Sequence, residues 1–517
     1  MSANAGCENA RISQHDFDRA SLFAAEVHLL SPAEELGLSG LSLDSQLRRA
    51  VHALPAKAIV DLIRRTAEES RLRHLIYQRD GGEELVRVLI RPLGVMPEQR
   101  AYLHYVNLTV LNALKRLPEL YLDDPEIRRI VPLSEPEEQW LRDTWGPSQR
   151  DSNPVIGRLD GVIDLTSPMW KDSLRLIEPN LCGVGGIHMS PIAEQLIADL
   201  VLPMLQRQNP QLQLELGSDL RELFIQELLD HLESLGRKGQ HVCFIEAKYS
   251  AIGTDEQTPL AEYYLRRHGL NVLHADPAEL DVRDGAVWYE DSPIDIAYRD
   301  YEVRDLIALE RDEGVNIDAM RLLFRENRIV SSMAGDFDHK SAWEILTDPR
   351  LTGRYFNAEE RQVFRRHILW TRLLYDRKTT LPDGKLGDLL EFVREDREVL
   401  VLKPNRSYGG DRVLLGHLMD QAEWERAVEA AVRDPAAWVV QRMALLPVCE
   451  FPVVASDGEV RIEPFYVVMG FAPTHYGLAI IGRASQKQVV NVAQRGGMCA
   501  VLVGRPAGRL VGPGGMI

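Results

Sequence analysis

Along the first 145 residues, hydrophobic positions recur every three or four residues, which is the spacing of helices with one buried face. The pattern is clearest in AVHALPAKAIVDLIRRTAEES and in RAYLHYVNLTVLNALKRLPELYL. A segment rich in proline, serine and aspartate follows at 146–154 and interrupts the periodicity. The pattern therefore predicts an N-terminal helical domain over residues 1–150, with a role in packing or docking.

From residue 240 onward, strand-like and helix-like segments alternate. HVCFIEA, NVLHADP and PIDIAYRDY are the short apolar runs of buried strands, and TPLAEYYLRRHG, between the first two, has the pattern of a helix ending in glycine. Such alternation predicts a βαβ layer with a mostly parallel sheet. Toward the C-terminus, apolar and polar positions alternate as they do in antiparallel strands. The predicted fold class is therefore mixed, α+β with α/β.

The composition is that of a folded protein with several structural units. The chain has 517 residues, 45% of them apolar and 26% charged, and it is too long for one compact core. A net charge of −17 repels phosphate backbones, so we expect no nucleic-acid partner. No apolar run reaches the roughly 20 residues of a membrane span, and the first residues lack the apolar core of a signal peptide. We therefore expect no membrane partner.

The cysteines indicate a reducing compartment. They are few, odd in number and scattered, at Cys7, Cys182, Cys243, Cys449 and Cys499. No CxxC spacing pairs them, which argues against a disulfide scaffold and against a thiolate zinc site. We therefore expect a cytoplasmic location.

The strongest local motif is VLVLKPNRSYGGDRVLLG, at residues 399–416. Two apolar runs joined by a glycine-containing loop predict a flap of two strands. Gly409 and Gly410 would let backbone N–H groups approach phosphates closely. Lys403 would supply a cation at the base of the flap, and Ser407 a hydroxyl. The alternative interpretation is an ordinary hairpin with a surface lysine.

A second motif combines RLD with EPN farther along the chain. Strand alternation places Arg158 and Asp160 on one face, and Glu178 and Asn180 on one face of the next strand. If the strands pair, two carboxylates and an amide oxygen converge, which are ligands suited to Mg²⁺. The arginine could then neutralise a phosphate oxygen. A turn with solvated charges is the alternative interpretation.

KPNRSYGG, taken together with RLD and EPN, resembles the ATP-grasp superfamily, which includes D-alanine–D-alanine ligase and glutathione synthetase. The resemblance implies that Lys340, in GDFDHKSAWEIL, is the first of two phosphate-binding lysines and Lys403 the second. It also implies an adenine-binding hinge at VVQRMALLPVCEF, with Gln441, Met443 and Glu450 as candidate contacts. The implied cofactors are ATP and two Mg²⁺ ions, and the implied metal ligands are Asp160, Glu178 and Asn180.

In this chain the metal strands precede the flap, whereas they usually follow it in the superfamily. That order is typical of circularly permuted ATP-grasp proteins, and the arrangement is similar to glutathionylspermidine synthetase-like chains. In this subgroup IIGRASQKQVVNVAQRGG would place Arg483 near phosphate and Asn491 near the metal site, as a candidate substrate contact. The resemblance thus implies a circularly permuted ATP-grasp fold.

The patterns and the resemblance together divide the chain into five units. They are an N-terminal helical domain (1–150), the metal-binding strands of the permuted core (151–190), a pre-ATP-grasp α/β domain (191–330), an ATP-grasp lid with phosphate flap and adenine hinge (331–470), and C-terminal core strands with a tail (471–517).

The resemblance implies an ATP-dependent, ADP-forming ligase. ATP would convert a carboxylate into an acylphosphate, and an amine of a small amino-acid or peptide-like substrate would then attack it. Arg158, Arg483 and Lys403 are the implied catalytic groups. Arg299, in PIDIAYRDYEVRD, is a candidate bidentate clamp for a substrate carboxylate, with a structural salt bridge as the alternative.

Two other functions stay open at this point. The same nucleotide site could transfer phosphate to a small molecule, which would make the chain a kinase. A non-catalytic protein could instead use the fold and the helical domain to bind a partner. Because ligases of this fold are often dimers, the resemblance also implies a homodimer.

Overall fold

The computed structural model describes residues 32–79, 82–237, 239, 241–250, 253–407, 409–410, 412–492 and 495–505, with the backbone alone for 32–39. Cys7 and the glycine- and proline-rich C-terminal end lie outside these ranges. None of the helices within them is long and apolar enough to cross a membrane.

Among the described residues, the largest sheet has eight strands and is called the central sheet below. Its strands follow the order Val88–Val95, Gly497–Gly504, Gly477–Ser485, Val460–Thr474, Arg158–Val162 and Arg175–Asn180, with Leu214–Glu215 and Val448–Val454 pairing beside this path. The first pair is parallel and the others are antiparallel. The strands that carry the RLD and EPN motifs are thus neighbours in this sheet.

The two faces of the central sheet have different surroundings, because successive residues of a strand project to opposite faces. On strand Val460–Thr474, Met469 lies opposite Gly161 and Gly470 lies opposite Asp160. Met469 belongs to the main hydrophobic core, to which the N-terminal helices contribute. Asp160 therefore projects from the other face of the sheet.

The first 150 residues are not entirely helical, so that prediction is wrong. Ile76–Arg79 and Gly82–Leu85 form a hairpin, and Val88–Val95 is a largely buried strand of the central sheet. The apolar run of this strand is flanked by strong helical periodicity, which hides it in the sequence. Helix Pro97–Leu114 packs its apolar residues into the main core. The domain boundary at residue 150 stays a prediction.

The alternating segments after residue 240 form a parallel sheet in the order Ile329–Val330, Ile296–Arg299, Val242–Ile245 and Val272–Ala275. Helix Gln257–His268 connects the last two of these strands and ends at Gly269, whose φ of +66° suits glycine. The predicted βαβ arrangement is therefore confirmed in this region.

A smaller antiparallel sheet carries the glycine-containing loop and is called the lid sheet. Its order is Thr371–Leu373, Trp438–Arg442, Leu400–Pro404 and Leu414–Leu415. One face packs on helices Leu389–Glu395 and Gln421–Val432 through a separate apolar core. A hinge at 443–447 connects the lid sheet to the central sheet.

The remaining elements complete the frame. One small sheet consists of Ile76–Arg79, Gly82–Leu85 and Gly253–Thr254. A second consists of Leu280–Arg283, Ala286–Tyr289 and Ser292–Pro293. Strands Lys378–Thr380 and Leu386–Asp388 form a hairpin. The other helices are Pro32–His52, Ala56–Leu72, Leu117–Asp123, Pro125–Ile130, Glu135–Thr144, Pro147–Asp151, Trp170–Ser173, Met189–Leu196, Leu202–Gln208, Leu220–Ser234, Val303–Ala308, Asp318–Arg325, Ala342–Thr347, Pro349–Tyr355 and Ala358–His367.

Candidate nucleotide site

The RLD and EPN strands pair as the sequence analysis expects. Strands Arg158–Val162 and Arg175–Asn180 are antiparallel, and Asp160 lies directly opposite Glu178. Directly opposite residues of an antiparallel pair project to the same face with their Cβ atoms about 5 Å apart. The two carboxylates therefore lie side by side on the face of the central sheet that is turned away from the main core.

Two guanidinium groups hold the Asp160 carboxylate. Arg158 Nε and Arg483 Nη2 each lie 2.8 Å from Asp160 Oδ1. Burial opposes ionisation of Asp160, but the two cations lower its pKa below the ordinary value, so the carboxylate is charged. The Nε of Arg483 is buried and meets no hydrogen-bond acceptor within the described ranges. That donor is available to a ligand.

The two predicted phosphate-binding lysines are buried close to these strands. Lys340 Nζ lies 3.5 Å from Glu178 Oε2 and donates to Ser407 O at 2.6 Å. Lys403 Nζ donates to Gln441 Oε1 at 2.8 Å and has no carboxylate within 4.0 Å among the described residues. Burial lowers the pKa of Lys403 to about 8, although Glu178 opposes this shift.

These groups form one cluster, called the cationic cluster below. Its members are Arg158, Lys340, Lys403 and Arg483 with the carboxylates of Asp160 and Glu178. Cations outnumber carboxylates by two in a protein whose net charge is −17. Because buried charges are costly without partners, this surplus indicates a site for an anion.

The oxygen atoms of the two strands suit a magnesium ion. Asn180 Nδ2 donates to Arg158 O at 3.2 Å, which leaves the amide oxygen for a cation. Mg²⁺ is commonly held by one or two carboxylates together with substrate phosphates and water. Asp160 and Glu178 provide that number. Within the described part of the chain, no three His, Cys, Asp or Glu side chains come together as a metal site on their own.

The glycine-containing loop has the form that a phosphate flap requires. Strands Leu400–Pro404 and Leu414–Leu415 flank it. Gly409 and Gly410 have backbone φ values of +72° and +73°, which residues with a Cβ atom rarely adopt. Ser407 turns its carbonyl oxygen toward the first lysine. A phosphate contact by the Ser407 hydroxyl stays a prediction.

Asn405 fastens the flap to the segment of the first lysine. Its Oδ1 accepts from Ser341 N at 2.9 Å, and its carbonyl accepts from Lys340 N at 3.1 Å. Its Nδ2 donates to Ala436 O at 3.1 Å. The sequence analysis assigns no role to this residue, although its place in KPNRSYGG, two residues after Lys403, is a usable signal.

Apolar side chains pack together beside the cationic cluster and form what is called the apolar slot below. Val162 follows Asp160 by two residues on the same face, and Val468 lies opposite Arg483. The slot is formed by residues of the central sheet and of the hinge. The hinge supplies Ala444 and Leu446, and the sheet supplies Val162, Ile177, Tyr466 and Val468. Val490 fills the slot in this structure. Apolar walls beside a phosphate-binding cluster suit a nucleobase.

Gln441 uses its whole amide group within the protein. It accepts from Lys403 Nζ, and its Nε2 donates to Ile177 O and Thr371 Oγ1, all at 2.8 Å. The side chain thus positions Lys403 and joins the lid sheet to the metal strands. A direct contact with a nucleotide stays a prediction.

Arg299 is fully buried, and its nitrogens are used by the protein. Nε donates to Ser331 O and Nη2 to Ser332 O, both at 2.7 Å, while Nη1 donates to Tyr301 O at 2.5 Å. Nη2 also pairs with Asp336 Oδ2 at 2.6 Å. The prediction of a substrate clamp at Arg299 is wrong, because the guanidinium is enclosed. The alternative prediction, a structural salt bridge, is what the structure shows between Arg299 and Asp336.

Two hinge predictions have no geometrical support. The Glu450 carboxylate lies 3.8 Å from Arg48 Nη1 and 3.9 Å from His52 Nε2, so it pairs with an N-terminal helix. Met443 donates its N–H to Val399 O at 2.8 Å and lines a cavity behind the hinge. Nucleotide contacts by Glu450 and Met443 stay predictions.

Asn491 lies between the last two strands of the central sheet. Its carbonyl accepts from Gly496 N at 2.8 Å, which closes a turn. Its side chain stays a predicted substrate contact.

A second buried cluster, which the sequence analysis misses, lies at the base of the flap and is called the balanced cluster. Arg406 Nη1 lies 2.7 Å from Glu137 Oε1 and its Nη2 lies 2.9 Å from Glu302 Oε2. Arg304 Nε lies 2.8 Å from the same Glu302 oxygen. Each guanidinium has a carboxylate partner, as Arg299 does. The cluster joins the flap to helix Glu135–Thr144 and to the parallel sheet.

No protein-family model matches the chain, and no curated protein matches it in sequence. Among solved structures, a glutathione synthetase-like effector from Globodera pallida, in its apo form, matches 87% of this chain and 97% of its own. The TM-score is 0.57 at 9% sequence identity. This likeness shows a shared fold. The circular permutation stays a prediction.

Two further structures match only part of the chain. A RimK-domain ATP-grasp protein from Sphaerobacter thermophilus is 14% identical, covers 48% of this chain and 93% of its own, and has a TM-score of 0.23. A D-alanyl-alanine synthetase A from Vibrio cholerae is 10% identical, covers 46% of this chain and 86% of its own, and has a TM-score of 0.22. Neither superposition adds to the argument.

Proposed function

We propose that this protein is an ATP-dependent ligase that joins a carboxylate to an amine. The observation that carries the proposal is the cationic cluster, in which four buried cations share two carboxylates beneath a glycine-containing flap and Lys403 has only an amide partner. A triphosphate is the anion that matches this surplus beside an apolar slot. The shared fold with a glutathione synthetase-like effector supports a ligase of the ATP-grasp type.

The chain's own residues would do most of the work through position and charge. Lys340 and Lys403 would neutralise the phosphates beneath the flap. Arg483, with its unused Nε, would stabilise the transferring phosphoryl group together with Arg158. Asp160, Glu178 and Asn180 would hold magnesium, which would neutralise charge on the phosphates.

The reaction would proceed in two steps. A carboxylate oxygen of the acyl donor bonds to the γ-phosphorus as the bond to ADP breaks. An amine nitrogen then bonds to the acyl carbon, inorganic phosphate leaves with the electron pair of the broken bond, and the nitrogen loses a proton. The proposed substrates are small amino-acid or peptide-like molecules. The homodimer and the cytoplasmic location stay predictions.

Nucleotide chemistry is tested by incubating the protein with Mg·ATP and pooled amino acids, polyamines and short peptides. We expect ADP, free phosphate and a conjugate lighter than its two parents by one water, read by mass spectrometry. Asp160→Asn should abolish these products, whereas Asp434→Asn, an exposed aspartate of the lid, should retain them. A product carrying the phosphate would identify a kinase instead. No heat of Mg·ATP binding in calorimetry would contradict both activities.

A further inference from the structure

A cavity of about 540 Å³ lies behind the hinge, on the side away from the cationic cluster. The central sheet lines it with Val467 and Met469, and the chain continues its wall at Ile163. Because Met469 lies opposite Gly161, these side chains project from the face opposite that of Asp160. The sheet-side wall of the cavity therefore lies on the face opposite that of Asp160, and the cavity meets the candidate nucleotide site at the hinge, where Ala444 lines the cavity and also belongs to the apolar slot.

The cavity is built as small-molecule sites commonly are, with apolar walls and a few polar groups. Leu93, Leu369 and Leu445 add to the apolar wall, and Leu445 is 78% exposed at the hinge. One wall belongs to the central sheet and another to the lid. An occupant would therefore contact both sides of the hinge.

The carboxylates around the cavity already have partners. Asp44 pairs with the buried Arg91, and Asp172 Oδ1 lies 2.7 Å from Arg366 Nε. Asp164 Oδ1 accepts from a backbone N–H at 2.9 Å and from a hydroxyl at 2.6 Å. These acidic groups are thus engaged within the protein, although Asp172 also acts on Arg175 through its charge.

Two arginines line the same cavity as the remaining charged groups. Arg442 makes no side-chain hydrogen bond or ion pair with any described residue. Arg175 donates its Nη1 to the carbonyl oxygens of Leu174 at 2.7 Å and Arg366 at 2.9 Å. Burial lowers the pKa of Arg175; Asp172 opposes this shift, and the neighbouring Arg442 adds to it. An anion between the two guanidiniums would relieve this repulsion.

We propose that this cavity binds a small amphipathic carboxylate. Its apolar body would fill the space against Val467, Met469 and Leu445, and its carboxylate would pair with Arg442 and Arg175, since the planar guanidinium fork matches a carboxylate. Bound there, the ligand bridges the lid and the central sheet behind the hinge. The inference rests on the cavity alone and is independent of the proposed ligase activity.

The experiment compares octanoate with octan-1-ol, which has the same apolar chain without the charge, by isothermal titration calorimetry. We expect octanoate to bind at least tenfold more tightly than the alcohol. Arg442→Gln should weaken octanoate at least tenfold and leave the alcohol unchanged. Arg433→Gln, at an exposed arginine outside the cavity, is the matched control and should bind both as the parent does.

A second pair of variants locates the apolar end. Leu445→Asp should weaken both probes at least fivefold, whereas Leu386→Asp, at a leucine that is 73% exposed outside the cavity, should not. The proposal is overturned if octanoate gives no heat up to 5 mM, if the alcohol binds equally well, or if Arg442→Gln and Leu445→Asp bind octanoate as the parent does. Loss of octanoate binding in saturating magnesium and a non-hydrolysable ATP analogue would also overturn it. Failure of the analogue to bind would count against the ligase alone.

Discussion

The two buried charge clusters of this protein contain similar groups but have different balances. In the balanced cluster, Arg304 and Arg406 each pair with a carboxylate, as the buried Arg299 does with Asp336. In the cationic cluster, Arg158 and Arg483 share one carboxylate, and Lys403 pairs only with a neutral amide.

Burial alone therefore does not distinguish a binding site from a structural joint, by which we mean a set of ion pairs that holds two parts of the fold together. A joint is complete without any other molecule, because its donors and acceptors satisfy one another. The cationic cluster is incomplete, since its surplus charge has no carboxylate partner among the residues that the structure describes. Variants of the two clusters should therefore affect different properties.

The largest effect is expected on stability, from breaking the balanced cluster. Arg406→Met leaves the buried Glu137 without its arginine and Glu302 with Arg304 alone, which should lower the free energy of unfolding by about 3–5 kcal/mol. Urea unfolding followed by circular dichroism measures this. Arg406→Lys keeps the charge and should lose less. An unchanged unfolding midpoint would show that these pairs are not a structural joint.

At Lys403, three residues before Arg406, we expect the variant to affect ATP binding and not stability. Lys403→Met should leave the free energy of unfolding equal or higher, because it removes a buried charge that has no carboxylate partner. The same variant should weaken Mg·ATP about thirty- to a hundred-and-fiftyfold, since a charged hydrogen bond contributes about 2–3 kcal/mol. Calorimetry measures the affinity. Destabilisation as large as that of Arg406→Met would make the two clusters alike and remove the distinction.

The pKa of Lys403 gives a pH dependence of intermediate size. Phosphate favours the charged amine, so ATP affinity should stay level below pH 8 and fall above it, by up to about tenfold per pH unit. Stability should move in the opposite direction. Because the folded pKa lies below the unfolded value of about 10.4, the free energy of unfolding rises between pH 8 and 10.4.

Lys403→Arg provides the control for this profile. Its guanidinium stays charged up to about pH 12, so its ATP affinity should be level between pH 8 and 9.5. An equal fall in the parent and in this variant would assign the pH dependence to another group.

The smallest effect concerns the apolar slot. Val490→Ser should tighten ATP about fivefold, because removing the apolar contact lowers the cost of displacing this residue by about 1 kcal/mol. Inorganic triphosphate does not use the slot, and its affinity should be unchanged. Equal changes for the two ligands would place the base elsewhere.

The sequence predicts the parts of the site that depend on local pattern. Strand alternation is enough to place Asp160 and Glu178 on one face, and the structure pairs them directly. Positive φ values at Gly409 and Gly410 likewise follow from the residue type and the loop. Such features need only neighbouring residues, which the sequence displays.

Other features depend on which distant groups meet, and no local pattern shows this. The partners of Arg299 include the carbonyl oxygens of Ser331 and Ser332, about thirty residues away, so a clamp and a joint look the same in the sequence. The filling of the slot by Val490 is equally non-local. The strand Val88–Val95 is hidden because its burial depends on pairing with Gly497–Gly504.

The pairing of Val88–Val95 with Gly497–Gly504 can form only after nearly the whole chain has been synthesised. The strand Val88–Val95 leaves the ribosome early, but its only neighbour in the described central sheet is made about 400 residues later. Until then its backbone donors and acceptors on that side lack their partner, and the newborn chain presents an open edge that other chains could join. A premature stop before residue 497 would leave this edge permanently exposed, so truncated products should be cleared by proteolysis or collect in aggregates.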